Sequence, residues 1–161
     1  MIRPEPMTSE DLDEILAIER SSFARPWTRE MFLREISSRT ARALVFRDGN
    51  AIVGYLCFWE VLDEAHLMVI AVRPERRGEG HGKAILAHLE KICLQDGLKR
   101  IILEVGRRNS RARALYKQSG FRSIGFRKQY YAQTGDDAMV MEKWIHHGEG
   151  QSPSLADTEK R

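Results

Sequence analysis

Residues 66–83 run HLMVIAVRPERRGEGHGK, and this stretch decides the fold. Its first part, residues 66–72, is a nearly continuous apolar run, which is typical of a central strand buried on both faces. A glycine-rich segment, Arg77–Lys83, follows the run. Apolar side chains then recur at helical spacing in one stripe: Ile85, Leu89, Ile92 and Cys93. The stretch therefore predicts a buried strand, a glycine-rich turn and a long helix that ends at Asp96, before Gly97.

The glycine-rich segment has the character of an anion-binding loop. Gly78, Gly80 and Gly82 alternate with other residues, and their lack of a side chain lets the backbone approach a ligand closely. Free amide groups at a helix N-terminus, with the positive end of the helix dipole, bind phosphate. Three basic side chains add positive charge: Arg76, Arg77 and Lys83. The segment therefore predicts a site for a phosphorylated ligand.

Two familiar phosphate-binding patterns do not fit this segment. The Walker A motif needs four residues between its first glycine and Gly-Lys-Ser/Thr, but only three separate Gly78 from Gly82, and Ala84 replaces the hydroxyl residue. The dinucleotide pattern G-x-G-x-x-G fails because the third glycine comes one position early. The pattern R-x-x-G-x-G does fit, through Arg77, Gly80 and Gly82.

Working outward, the sequence predicts elements in the order β-α-α-β-β-β-α-β-α-β-β. Thr8, Thr28 and Asn109 or Ser110 are placed to cap three of the helices. Predicted strands outside the opening stretch cover residues 2–7, 41–47, 51–61, 100–105, 122–131 and 138–144, with turns at 48–50, 63–65 and 133–137. The β-α-β unit of residues 66–105 requires a parallel central pair. These elements predict an α/β fold, a mixed β-sheet with helices on both faces in a single domain, residues 1–145. Residues 146–161 are polar and predict a mobile tail.

Composition narrows the class of protein. The 161 residues include 26 basic and 23 acidic ones, and a net charge of +3 is too small to imply nucleic-acid binding. No apolar run approaches the roughly 20 residues of a membrane helix, and no signal-peptide pattern opens the chain. Cys57 and Cys93 are spaced for neither a disulfide framework nor a zinc site, and no histidine cluster could bind a metal. The composition predicts a metal-free cytoplasmic protein that binds neither membrane nor nucleic acid.

Beyond the glycine loop, several segments carry a resemblance. They are Arg25-Pro26-Trp27, residues 61–65, Ile70–Val72, Leu103–Val105 through Asn109, residues 114–116, Gly120-Phe121, Tyr130-Tyr131 and Asp136-Asp137. With the R-x-x-G-x-G loop, they make residues 1–145 resemble the GNAT superfamily, the Gcn5-related N-acetyltransferases. Within it the chain is most similar to RimI-type enzymes, which acetylate the N-terminal alanine of a ribosomal protein.

The resemblance implies acetyl-coenzyme A as co-substrate. In the family the glycine loop holds the pyrophosphate, the strand before it holds the pantetheine arm through backbone groups, and an asparagine hydrogen-bonds coenzyme A. The positions implied here as cofactor-binding are Ile70, Ala71, Val72, Arg77, Gly78, Glu79, Gly80, His81, Gly82, Lys83 and Asn109. Asn109 serves equally well as a helix cap.

The resemblance also places two catalytic residues. Glu104 lies in the apolar strand IILEV, where burial would raise its pKa toward that of a useful general base. The phenol of Tyr116 can give a proton to a departing thiolate, and the family assigns it that role. Each residue has a plainer interpretation that the sequence leaves open: Glu104 on the solvent face of an edge strand, and Tyr116 as an aromatic packing residue.

The sequence signals for the acceptor-binding side of the site are less specific. The positions implied as substrate-binding are Trp27, Asp63, Glu64, Tyr130, Tyr131, Asp136 and Asp137. The four carboxylates could receive a basic residue near the acceptor's N-terminus, or could simply belong to two ordinary turns.

Together these features imply an N-terminal α-amine acetyltransferase that uses general base and general acid in a direct transfer. No suitably placed cysteine argues for an acyl-enzyme. A GNAT enzyme for a small amine or antibiotic would share every cofactor residue, and a coenzyme A-binding regulator would share the loop without turnover. A basic nucleic-acid module is a weaker alternative, because the chain lacks a stripe that combines aromatic and basic residues.

Overall fold

The computed structural model describes residues 1–131 and 136–146, apart from the side chains of residues 129–131. The strands are β1 Arg3–Pro6, β2 Ala41–Asp48, β3 Ala51–Val61, β4 Glu64–Val72, β5 Arg100–Gly106, β6 Arg122–Tyr131 and β7 Asp136–Trp144. The helices are α1 Leu12–Ser22, α2 Arg29–Ser37, α3 His81–Asp96 and α4 Ser110–Gln118. Two short 3-10 turns, Ser9–Asp11 and Pro74–Arg76, complete the described elements, and the predicted order is confirmed.

The seven strands form one mixed sheet in the order β1-β2-β3-β4-β5-β7-β6. Antiparallel pairing joins β1 with β2, β2 with β3, β5 with β7, and β6 with β7. In this register Glu104 of β5 lies opposite Val140 of β7.

The chain forms two compact units, and each has its own buried apolar residues. The first unit comprises Met1–Glu60 and Leu67–Leu86. Its core contains, among others, Leu12, Ile15, Phe32, Val45, Ile52, Tyr55, Val69 and Ala71. The second unit comprises Val61–His66 and the described residues from Ala87 onward. Its buried side chains include Leu89, Ile92, Cys93, Ile101, Leu103, Val105, Phe121, Met141 and Ile145.

Local sequence signals set the helix ends. Asp11 accepts a hydrogen bond from the Thr8 backbone N–H at 2.9 Å, which starts the 3-10 turn that leads into α1. Thr28 Oγ1 and Asn109 Oδ1 accept from backbone amides in the first turns of α2 and α4. Gly97 follows α3 with φ of 73°, as the predicted glycine cap requires. Local chemistry therefore determines these boundaries.

Strand β4 departs from the prediction of a strand buried on both faces. Its side chains alternate instead: Ala65, Leu67, Val69 and Ala71 are buried, whereas Met68 is 39% exposed. Because successive side chains of a strand point to opposite faces, only one face of β4 packs into a core. Apolar composition alone does not reveal this, since the more open face is also apolar in its second half.

At two predicted turns, residues expected in the turn belong to the following strand. The turn before β4 occupies Leu62-Asp63, and Glu64 and Ala65 already belong to the strand. Asp136 and Asp137 are the first residues of β7, so they do not lie in a turn. The rest of the predicted turn, Gln133–Gly135, and residues 147–161 of the predicted tail lie outside the described residues. Within the described part of the chain, no helix is long and apolar enough to cross a membrane.

Candidate functional site

The glycine loop joins the end of β4 to α3 within the first unit. Gly78 and Gly80 adopt φ of 81° and 85°, a backbone conformation that L side chains rarely adopt. A Cβ added to either residue would meet nothing within 4 Å, so the loop lies beside open space. The Gly80 carbonyl accepts from the Ala84 amide at 3.1 Å and so begins α3. The amides in the first turn of the helix lack intrahelical acceptors by geometry and are suited to an anion.

The charge of Arg76 is compensated within the chain. Its guanidinium pairs with Asp48 at 2.9 Å and with Glu79 at 3.0 Å, and His81 Nε2 lies 3.0 Å from the same Glu79 carboxylate. These pairs hold the pKa of Glu79 below its ordinary value, chiefly through the hydrogen bond from Arg76. Lys83, which was also expected to add charge, lies at the start of α3 with an exposed side chain.

Arg77 makes two hydrogen bonds that fix the loop to its surroundings. Its Nε donates to the Val72 carbonyl at 3.1 Å, and its Nη2 donates to Ser22 Oγ at 2.8 Å. The side chain thus ties the loop to the end of β4 and to the last residue of α1. Ile70 and Val72 lie on the half-exposed face of β4, and Ala71 lies on its buried face.

In the second unit, Glu104 lies on the less buried face of β5. Its side chain is 30% exposed and pairs with Arg127 of β6, with 2.5 Å between Oε1 and Nη1. Burial alternates along β5, so Leu103 and Val105 face the core and Glu104 does not. The predicted burial of Glu104 is therefore wrong, and its role as general base stays a prediction.

Tyr116 is 7% exposed on α4, and its ring centroid lies 5.7 Å from that of Phe121. The Tyr116 ring is therefore buried and packed against Phe121. Asn109 is the N-cap of the same helix, with Oδ1 accepting from the Ala112 amide at 3.2 Å. Its cap role is established, and a role toward coenzyme A stays a prediction.

Trp27, predicted on the acceptor side, lies between α1 and α2. Its indole ring packs at 5.2 Å from Phe32, and its backbone N–H donates to Glu19 at 2.9 Å. Tyr130 and Tyr131 belong to β6, and their side chains lie outside the described part.

The four predicted acceptor-side carboxylates all have basic partners within the second unit. The pairs are Asp63 with Lys99, Glu64 with Arg100, Asp136 with Arg108 and Asp137 with Arg107. Asp136 also accepts from the Arg108 amide at 3.2 Å. Recognition of a basic acceptor residue by these carboxylates stays a prediction, and such a residue would have to share them with these partners.

Each unit brings together part of the predicted site. The first unit holds Trp27, Ile70–Val72 and the loop Arg77–Lys83; the second holds the remaining predicted positions. Sequence reasoning missed Arg127, Ser22 and Glu19 as partners of predicted residues. Their separations, 23 residues for Arg127 and Glu104 and 55 for Ser22 and Arg77, leave no local signal. The described residues contain no group of three or more histidines, cysteines and carboxylates that could hold a metal ion.

The profile of the acetyltransferase (GNAT) family matches residues 12–121. The chain belongs to the GNAT acetyltransferase family. A Bacillus subtilis relative is 36% identical over 140 residues, 86% of this chain and 91% of the relative. The [ribosomal protein bS18]-alanine N-acetyltransferase of Escherichia coli strain K12 is 33% identical over 133 residues, 81% of this chain and 89% of the relative.

A solved structure agrees with these relatives. The crystal structure of the ribosomal-protein-S18-alanine N-acetyltransferase from Escherichia coli superposes with a TM-score of 0.83 at 30% identity, covering 94% of this chain and 99% of that one. The predicted fold class and GNAT membership are confirmed. Enzymes of the GNAT family use acetyl-coenzyme A.

Proposed function

We propose that this GNAT protein acetylates the α-amino group of an N-terminal alanine on ribosomal protein bS18, with acetyl-coenzyme A as donor. The observation that carries the proposal is the match along nearly the whole length of the Escherichia coli enzyme of that name, in sequence and in structure. A shared fold alone would not select the acceptor. Identity of 33% over 81% of the chain narrows the choice beyond the fold.

The first unit supplies the proposed donor site. Bound acetyl-coenzyme A contributes an acetyl group activated as a thioester. The open space beside Gly78 and Gly80 and the first-turn amides of α3 fit a pyrophosphate, because nothing there opposes close backbone approach. Ile70–Val72 would hold the pantetheine arm through backbone groups. Arg77 would contribute chiefly by fixing the loop, since its guanidinium already binds Val72 and Ser22.

The second unit supplies the two proposed proton-transfer groups. Glu104 takes a proton from the acceptor amine as the amine nitrogen bonds to the acetyl carbon. Tyr116 gives its phenolic proton to the sulfur as the carbon–sulfur bond breaks. The transfer needs no acyl-enzyme, and both cysteines, Cys57 and Cys93, are fully buried. Burial raises the pKa of the Cys57 thiol, which makes it a poor nucleophile.

Acceptor recognition is assigned to Trp27, Tyr130 and Tyr131, with Asp63, Glu64, Asp136 and Asp137 contributing negative charge. A ribosomal-protein acceptor also implies that the enzyme works in the cytoplasm, where ribosomes assemble. We expect no direct contact with nucleic acid or membrane.

Mass spectrometry of the purified full chain with acetyl-coenzyme A tests the proposal. The acceptors are a peptide with the N-terminal sequence of bS18, the same peptide with a blocked N-terminus, and a panel of small amines including a polyamine. We expect one added acetyl group, on the free α-amine of the first peptide only. Faster acetylation of a small amine would overturn the acceptor, and coenzyme A binding without any turnover would overturn the enzymatic function.

A further inference from the structure

Glu19 is a buried carboxylate in α1 that the proposed chemistry does not use. The residue is 1% exposed, and both of its oxygens are engaged. Oε1 accepts from the Tyr55 hydroxyl at 2.5 Å, and Oε2 accepts from the Trp27 backbone N–H at 2.9 Å. A buried carboxylate is costly unless donors surround it, so its presence in an aromatic core calls for a reason.

The bond to Trp27 fixes the segment that connects α1 to α2. Glu19 also receives the Phe23 amide on its backbone carbonyl at 3.1 Å, so it holds both the start of the connection and Trp27, near its end. The Trp27 ring packs on Phe32, whose ring centroid lies 5.8 Å from that of Tyr55 in an edge-to-face contact. The Glu19 carboxylate therefore fixes the backbone between α1 and α2, and the packing of the aromatic rings stabilises the same arrangement.

The same helix end is anchored to the donor loop. Arg77 donates to Ser22 Oγ, and that hydroxyl donates to the Ile18 carbonyl at 2.6 Å. The last turn of α1 thus has a bond to the glycine loop on one side and to the Trp27 segment on the other. A turn held in this way gives the Glu19 carboxylate a fixed position.

We propose that Glu19 is a positioning residue for the acceptor side of the site: it holds Trp27 and the connection between α1 and α2 in the arrangement that receives the peptide. The inference rests on the proposed function, in which Trp27 contacts the acceptor. A carboxylate suits the task because it offers an acceptor oxygen to each of two donors, the Trp27 amide and the Tyr55 hydroxyl.

Three variants separate positioning from packing. Glu19→Met keeps the length and volume but gives the Trp27 amide no acceptor, so KM for the bS18 peptide should rise about tenfold. The calorimetric Kd for coenzyme A should change by less than about twofold, because the donor loop keeps its contacts. Glu19→Gln should restore KM, since its amide oxygen accepts from Trp27 and its amide nitrogen donates to the Tyr55 oxygen. Tyr55→Phe is the matched control: it removes the bond from the Tyr55 hydroxyl to Glu19 but leaves the bond from the Trp27 amide, so KM should stay near the wild-type value.

Thermal unfolding of each variant accompanies the kinetics. If Glu19→Met does not fold, Glu19→Asp replaces it, because Asp keeps the charge but draws the carboxylate back from Trp27 and should also raise KM. An unchanged KM in the folded variant, or an equal rise in Tyr55→Phe, would overturn the positioning role. A wild-type chain that fails to acetylate the peptide would instead overturn the proposed function.

Discussion

Gly80 directly precedes α3, with φ of 85° and open space where a side chain would stand. Gly80→Ala should weaken coenzyme A binding, because the methyl group occupies the space through which the backbone reaches a pyrophosphate. The strained backbone should also cost about 1 kcal/mol of stability. Isothermal titration calorimetry gives the affinity, and urea unfolding gives the stability.

Gly49 provides the matched control for this change. It lies in the turn between β2 and β3 with φ of 64° and nothing near an added Cβ. Gly49→Ala should lose a similar amount of stability and keep full coenzyme A affinity. Equal affinity in the two variants would remove the glycine loop from the donor site.

Glu104 carries the proposed proton abstraction. Glu104→Gln should lower kcat roughly 10²- to 10⁴-fold while coenzyme A affinity is retained, because an amide cannot accept the proton. Glu90→Gln is the control: Glu90 pairs with Lys143 at 2.7 Å and its side chain is 29% exposed, close to the 30% of Glu104. Steady-state kinetics in which both variants keep wild-type kcat would exclude Glu104 from the chemistry.

Gly54 of β3 lies too close to its neighbours to leave room for a side chain. A Cβ there would lie 2.6 Å from the Ala71 carbonyl oxygen and 2.8 Å from Ile85 Cδ1. Gly54→Ala should therefore destabilise the fold by about 1–3 kcal/mol, as overpacking in a core does. Because Ala71 belongs to the proposed pantetheine strand, coenzyme A affinity should fall as well.

Gly125 of β6 has nothing within 4 Å of an added Cβ, and its φ is not positive. Gly125→Ala should leave both unfolding and coenzyme A binding near the wild-type values. Denaturant unfolding and calorimetry on Gly54→Ala and Gly125→Ala check both expectations. Equal stability of the two variants would contradict the close packing of β3 at Gly54.

Features that depend on neighbouring residues could be predicted from the sequence, whereas features that depend on contacts across the folded chain could not. The helix caps depend on residues within one helical turn: Thr28 and Gly97 are confirmed, and of the two candidates Asn109 and Ser110 the structure assigns the cap to Asn109. The alternation of β4 was missed because an apolar side chain on an open face looks the same as one in the core. The strand position of Asp136 was missed because Gly-Asp-Asp is typical of a turn, whereas Asp136 pairs with Tyr131 in the β6–β7 ladder.

In the candidate site, too, local features could be predicted and long-range contacts could not. The R-x-x-G-x-G pattern predicted the loop, and of its two glycines Gly80 adopts a positive φ, as does the neighbouring Gly78. The pairing of Arg76 with Asp48 and of Glu104 with Arg127 depends on the folded sheet and has no local signal. The sequence pattern therefore predicts where the donor site lies, and tertiary contacts decide which charged side chains there already have partners.

An ionic network links four strands of the second unit. Buried Glu142 of β7 accepts from Arg100 of β5 at 2.8 Å and from Arg122 of β6, and Arg100 also pairs with Glu64 of β4. Trp144 Nε1 donates to the same carboxylate at 3.1 Å. Burial opposes the charge, yet the hydrogen bonds from these donors outweigh it and hold the pKa of Glu142 below its ordinary value of 4.5.

The lowered pKa makes a prediction for stability against pH. Because the folded-state pKa lies below the unfolded one, ionised Glu142 contributes stability above about pH 4.5, and the contribution is lost as the pH falls through the folded-state pKa. Glu142→Gln should be less stable than the wild type at pH 7, and the difference should shrink as the pH drops below 4.5. Thermal unfolding of both proteins across this range checks it; a difference independent of pH would contradict the assignment.

The proposed selection of an α-amine over a lysine is explained by the difference in acidity of the two amines. An α-amino group has a pKa of about 7.7–8.0 and a lysine side chain one of about 10.4, so near neutral pH the α-amine is neutral a few hundred times more often. One carboxylate can then serve as the base, without a site built to lower a lysine pKa.

The deciding measurement is kcat/KM of the wild-type enzyme for two peptides at constant pH. One begins with a free alanine; the other has the same sequence with a blocked N-terminus and an exposed lysine. The alanine peptide should be preferred by about a hundredfold or more, in line with the difference in neutral amine. Equal values, or a preference for lysine, would contradict the assignment of this GNAT enzyme to N-terminal acetylation.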